Sequence, residues 1–471
     1  MWQRTCREAL FAFSMSDNMT NLAASGREIP LPARHSLLRE RVIRWGNLFS
    51  VFFAGQLLVQ AIGLVTGFLL IRWLSVESYA QFSVAFGFQS TLSTLADLGF
   101  CGSMVALAGA RGTQPEVLGR YISAAKYYRG LILSILFPLT MVAFPILMAK
   151  HGWNWGIQAA LLASILCSVV AQGYLSLYSA PLLIHQKLKR SYGIQAVAAT
   201  SRLGLNAILH AVSALASATA SWAATVATIV CVALFRRSVT GLVKEPPHSD
   251  AETRKEMLRF IAPFIPGIIF TAFQGQITVF LITLFGTTKA IAEVGALGRL
   301  GQVLLVFGGL NAVIVEPYIA RLPHHLLLRR YGQILTVAIL GMAAITAAAF
   351  AWPDLLLLVL GHKYQHLRRQ ASWSIVTWCI SYIGGLLWTM HAARRWVFWW
   401  NSTLYIVTLL VVQVIAIMFF DLSTTMNVIF FNVFISFAAL SVHITAAFYG
   451  FSHDERISAS RRAIRVDADE L

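Results

Sequence analysis

The sequence predicts an all-α, polytopic membrane protein with about twelve transmembrane helices in two six-helix lobes around a central cavity. Three observations carry this expectation. Of 471 residues, 57% are hydrophobic and only 12% charged, and the mean hydropathy is +0.68. Soluble domains carry roughly 25% charged residues, so a water-soluble chain of this size could not cover its surface. The apolar residues also fall in runs of about 20, enough to cross a hydrocarbon core of ~30 Å at 1.5 Å per residue. Finally, the basic residues are distributed unevenly between alternate loops.

The hydrophobic runs and their punctuation place the spans near 48–72, 79–109, 127–149, 156–184, 193–212, 214–235, 260–286, 291–320, 331–352, 371–391, 398–420 and 425–450. The break between the fifth and sixth is weakest, because LHAVSALASATASW offers only small residues. With the amino terminus inside, 29 of the 37 Lys and Arg residues fall on the inner side and six on the outer. That asymmetry follows the positive-inside rule and puts both ends in the cytoplasm. The segments are then an amino-terminal cytoplasmic tail (1–45), an N-lobe (46–236), a cytoplasmic linker (237–258), a C-lobe (259–450) and a carboxyl-terminal tail (451–471). The tail's ALFAFSM is too short for a signal-peptide core, and Met15 or Met19 is an alternative start. The linker carries Pro246–Pro247 and mixed charge, a loop composition. Six spans per half make the halves parallel repeats about an axis along the membrane normal, an arrangement suited to alternating access.

The net charge of +17 does not mark nucleic-acid binding, because the basic residues are scattered in short inter-span segments. The five cysteines (Cys6, Cys101, Cys167, Cys231, Cys379) show neither paired nor metal-ligand spacing, so neither disulfide nor metal is expected. His324, His325, His362 and His366 have no acidic or Cys partner nearby in sequence. Phosphate-binding Gly loops, nucleophile elbows and metal motifs are lacking, so no cofactor and no enzymatic activity are expected. A membrane glycosyltransferase or polymerase, the main enzymatic alternative, needs a large outer loop with catalytic carboxylates. The longest outer loop here, 352–370, carries only Asp354.

Three stretches resemble the polysaccharide transporters, the O-antigen and exopolysaccharide flippases of the multidrug/oligosaccharidyl-lipid/polysaccharide exporter superfamily. LLIRWLSVESYAQFSVAFGFQSTLSTLADLGF (69–100) is similar to that family's first hairpin, with Arg72, Glu77, Tyr79, Leu98 and Gly99 in the matching places. Val294, Gly295 and Arg299 repeat the plan in a segment like the family's eighth helix, and WPDLLLLVLGHKY (352–364) resembles its turn between the ninth and tenth. The resemblance covers about 45–450, mostly by topology. It implies a flippase of the bacterial inner membrane, moving undecaprenyl-pyrophosphate-linked oligosaccharide from the cytoplasmic to the periplasmic leaflet. It also implies polysaccharide polymerase and chain-length proteins as partners. A cation-coupled multidrug antiporter of the same superfamily is the alternative.

Charges inside spans define the candidate site. A charge at a helix centre costs ~2.5–3.5 kcal/mol on insertion scales, and its default reading is functional. Arg299 sits roughly 12 Å below the outer end of its span and Arg202 roughly 13 Å from the inner end of its own, both too deep for easy snorkelling. Guanidinium groups match pyrophosphate oxygens bidentately, so both are expected to line a cavity for an anionic headgroup. A structural ion pair is the plainer reading. Arg72 belongs either to the outer mouth or to the interface. Gln56 and Gln60 share a helix face and suit sugar hydroxyls, or equally a neighbouring helix. Asp97 has three readings: a switchable partner for an arginine, a coupling site for H⁺ or Na⁺, or a packing residue at the kink beside Gly99. Glu293 and Glu316 read as interfacial, and RRWVFWWN (394–401) as an aromatic belt with a cationic anchor.

Overall fold

The computed structural model describes residues 54–108, 114–185, 187–246, 249–394, 396 and 398–469. The expected amino-terminal tail, with Cys6 and both alternative starts, lies outside the described residues. Helices account for nearly all of the rest, and eleven are long and apolar enough to cross a membrane. The fold is all-α and multi-pass, as the composition predicts. The chain forms two compact units, one ending at Phe280 and the other beginning at Leu281.

The first unit opens with α1 (Ala54–Trp73) and α2 (Val76–Asp97). Ser75 caps α2, accepting from Ser78 N, and most of α2 is buried. The span breaks at Leu98 and Gly99, both with positive φ, before α3 (Phe100–Ala108). Four further helices follow: α4 (Pro115–Ala149), α5 (Trp155–Ile184), α6 (Leu188–Ala211) and α7 (Ser217–Val239). Small residues on α7, including Ala220, Ala223 and Ala227, are buried and let it approach α5 closely. Ser164 and Thr225 hydrogen-bond across the two helices at 3.0 Å. Tyr192 lies against Gly55, and His210 stacks on Trp73 at 4.6 Å, so α6 runs parallel to α1. The predicted fifth span, α6, is a full-length helix left off the apolar set, since Gln195, Arg202, Asn206 and His210 lower its hydropathy.

Two expectations are corrected here. The third span begins at Pro115, not near 127. The segment read as a cytoplasmic linker contains a docked helix, α8 (Ala251–Ile261). Asp250 caps α8, accepting from Glu252 N, Thr253 N and Thr253 Oγ1. Its Thr253, Met257 and Ile261 recur at helical spacing and are buried, with Met257 and Ile261 in a core shared with Phe100, Met104, Leu118 and Tyr121. An amphipathic face with a tertiary partner folds a charged stretch that composition reads as loop. The preceding residues are pinned as well: Lys244 N donates to Pro115 O at 2.9 Å, and Lys126 pairs with Glu245. A 3₁₀ turn at Ala262–Phe264, containing Pro263, leads into α9 (Ile265–Gln274), and α10 (Ile277–Phe285) completes the seventh span.

The second unit contains α11 (Thr288–Leu310), α12 (Glu316–Arg321), α13 (His324–Ala351), α14 (Pro353–Leu360), α15 (Arg368–Arg394), α16 (Trp399–Phe419) and α17 (Thr425–Asp469). Pro317 does not end the eighth span. A π-helical turn, Asn311–Val315, precedes it, widening the helix where proline can neither donate nor fit the regular ladder. At Gly301 a Cβ would overlap the Trp378 indole, so glycine sets the approach of α11 to α15. Trp396, expected in an aromatic belt, is instead fully buried, packed on Tyr331, His391 and Phe451. Arg395 and Val397 lie outside the described residues.

A Cβ at Gly119 would overlap the Lys244 carbonyl. Gly119→Ala should therefore undock the segment before α8 and destabilise the protein by about 1–3 kcal/mol, read as a lowered unfolding midpoint in detergent. The hydrogen bonds that Asp250 accepts hold its carboxyl below the usual carboxylate range. A lowered pKa stabilises above the unfolded-state value and is lost as pH falls through the folded one. Exchange protection of the α8 amides, corrected for intrinsic rates, should decline over that acid range, and Asp250→Asn should flatten the decline.

Candidate functional site

Among the described residues, each unit buries one Arg, Lys, Asp or Glu side chain almost completely, and neither is among the residues the sequence singled out as substrate-binding. In the first unit it is Arg129, 6% exposed. It lies fifteen residues into α4, counting from Pro115. Its Nη2 donates to Val169 O on α5 at 2.7 Å. The same carbonyl faces Gly173 one turn on, and a Cβ at Gly173 would coincide with the guanidinium. Glycine thus opens the α5 backbone so that a cation can lie on it. Nε of Arg129 is buried with no hydrogen-bond partner among the described residues.

The charge facing Arg129 is Asp97, at the end of α2. Its carboxylate also lies by the backbone amides of Gly99 and Cys101, at the break before α3. The cation that faces Asp97 is therefore one the sequence reading did not single out.

In the second unit the buried charge is Glu293 on α11, 7% exposed. It sits in the second turn of that helix. His366 Nε2 meets Oε1 at 2.7 Å, Thr425 Oγ1 donates to Oε2, and Lys289 lies 4.0 Å away, one turn earlier. The acidic partner missing near His366 in the sequence is supplied by an element 73 residues away. No group of three or more metal-ligating side chains occurs among the described residues.

The sequence-selected residues are divided between the units. Arg72, Gln56, Gln60, Asp97 and Arg202 lie in the first, and Arg299 in the second. Arg72 is exposed at the end of α1, and the two glutamines are half-buried on one face of that helix. Arg202 is half-buried on α6, and its carbonyl accepts from Asn206 Nδ2 at 2.7 Å. Arg299 is half-buried on α11 and donates to Gln302 Oε1 at 3.1 Å. One sequence signal could have found Arg129: Pro115 followed by Glu116 marks a helix start. Counting from there puts the arginine well inside a helix rather than in the first turn of one. No comparable signal points to the enclosure of Glu293, which depends on residues from two distant elements.

Neither the protein-family models nor the curated proteins contain a match to the sequence. Solved structures do match. An inward-facing multidrug resistance MATE family transporter of the MOP superfamily superposes with a TM-score of 0.58 at 13% identity, over 88% of this chain and 94% of that one. The eukaryotic MATE transporter AtDTX14 gives 0.55 at 13% identity, over 89% and 99%. An outward-facing MATE family transporter gives 0.54 at 12%, over 88% and 96%. The chain has the fold of these transporters.

Val169, Gly173 and Arg129 form a close-packed set whose energetics should be non-additive. Gly173→Ala should destabilise the wild type by about 3 kcal/mol, through overpacking and eviction of a buried cation. In an Arg129→Ala background the same change should cost less than about 1 kcal/mol. Unfolding of all four proteins in mixed micelles measures the difference, and equal costs in both backgrounds would show that the guanidinium does not lie on Gly173.

Proposed function

We propose that this protein moves an anionic lipid-linked oligosaccharide, undecaprenyl-pyrophosphate-linked as in surface polysaccharide assembly, from the cytoplasmic to the periplasmic leaflet by alternating access. The supporting observation is the state of two carboxylates. Asp97 faces Arg129 and the backbone amides of Gly99 and Cys101, and Glu293 is engaged by His366 and Thr425. Carboxylates held by the protein's own groups favour an anionic over a cationic cargo.

In this reading Arg299 and Arg202 hold the pyrophosphate. Gln56 and Gln60 meet sugar hydroxyls, and Arg72 stands at the outer mouth. Asp97, with Arg129, couples the cycle to H⁺ or Na⁺. The lipid tail stays in the bilayer. Polymerase and chain-length proteins of the bacterial inner membrane take the product. The transporter fold agrees with movement by alternating access, and the resemblance of 69–100 to flippases suggests the cargo. The second reading, a cation-coupled multidrug antiporter, is favoured by the fold neighbours, two of which are described as multidrug resistance transporters.

Cells lacking the protein should accumulate complete lipid-linked repeat units on the cytoplasmic face. Wild type should clear them, Arg299→Ala at equal expression should not, and Arg299→Lys should clear them partly, as a point charge without bidentate geometry. Intermediates that reach the periplasm normally without the protein, alongside new sensitivity to cationic drugs, would favour the antiporter.

A further inference from the structure

The docked helix α8 borders two cavities, and Lys255 reaches both. On one side Asp250, Glu252 and Glu256 meet Arg120, Lys255 and Arg259, and Tyr121 donates to Glu256 at 3.0 Å. On the other, a separate groove of about 360 Å³ runs between α8 and α4, lined by Tyr127, Tyr128, Leu131, Arg254, Lys255 and Leu258. Two cations and no carboxylate line that groove. Arg254 is held in place, its guanidinium 4.3 Å over the Tyr127 ring and its carbonyl accepting from Tyr128 OH at 3.1 Å. Lys255 is exposed and has no ion-pair partner among the described residues.

The groove also has an apolar end. Leu131 begins a row on α4 that continues through Ile135, Leu139, Val142 and Ile146, all exposed, at the three- and four-residue spacing of one helix face. On a span, such a row faces acyl chains. Leu258, also exposed, adds to it from α8. The groove therefore joins a two-cation pocket to a lipid-facing stripe, where a span's apolar length gives way to its charged extension.

We propose that this groove binds an anionic phospholipid of the adjacent leaflet, its phosphate between Arg254 and Lys255 and one chain along Leu131 and Ile135. A soluble anion would leave the leucines unused, and a zwitterionic lipid would leave the cations without a net partner. The bound lipid holds the charged entry of the seventh span against the third. The groove is a site for a structural lipid and lies wholly within the first unit, so it does not depend on the cargo proposed above.

Native mass spectrometry of the purified full-length protein, titrated with dioleoyl-phosphatidylglycerol or dioleoyl-phosphatidylcholine, tests this. The wild type should retain phosphatidylglycerol saturably and in preference to phosphatidylcholine. Arg254→Gln with Lys255→Gln should weaken phosphatidylglycerol retention by at least about tenfold, with phosphatidylcholine retention and unfolding midpoint unchanged. Arg254→Lys with Lys255→Arg should retain it, as should Arg120→Gln with Arg259→Gln on the opposite flank. Equal retention of both lipids by the wild type, or retention unchanged in the glutamine pair, would overturn the proposal. So would displacement of the lipid by chain-free glycerol phosphate at matching concentration, because the apolar row would then contribute nothing.

Discussion

A polar group surrounded by hydrocarbon must find its partner inside the protein, since no water is available to solvate it. Arg129 shows how far this constraint shapes the first unit. Its guanidinium needs an acceptor, an opposing charge and room. Val169 supplies the carbonyl, Asp97 the charge, and the missing side chain of Gly173 the room. Those residues come from three helices, α2, α4 and α5. Their mutual placement therefore follows from one cation as well as from apolar packing, which in lipid works without a hydrophobic driving force.

The second unit meets the same constraint with a carboxylate. Glu293 lies where α11 meets the turn carrying His366 and the first residue of α17, and each contributes one partner. Helix termini offer polar groups near the ends of spans, so a charge there can be enclosed without a second full-strength ion. Elsewhere the unit relies on neutral polar pairs and close glycine contacts. Tyr331 bonds His391 at 3.0 Å, Tyr382 bonds Asn311 at 2.9 Å, and Gly301 and Gly450 admit Trp378 and Trp396.

The segment between the sixth and seventh spans joins these themes to function. Its residues carry charge and proline, yet Lys244 and α8 dock on α4 through a backbone hydrogen bond, an amphipathic face and a tightly approached glycine. The segment and α4 both belong to the unit that ends at Phe280, so this docking fastens the segment within that unit. A lipid in the groove beside α8 would reinforce that attachment from the bilayer side.

The sequence by itself determined the class of fold. Spans of about 20 apolar residues, few charges and a biased basic count follow from the bilayer's thickness and its exclusion of charge, which act on each segment locally. It also exposed Arg202 and Arg299, because an isolated charge in an apolar run is visible without a partner. What only the tertiary structure decided was which charges are enclosed. Arg129 reads as a residue at the edge of its span until the helix start at Pro115 is recognised, and the enclosure of Glu293 is not apparent until His366 arrives from 73 residues away. The docking of α8 was hidden for the same reason. Its own composition is that of a linker, and its helix persists because Met257 and Ile261 find a core built by other helices. Burial of a polar group is a property of its neighbours in space, and local sequence carries no record of them.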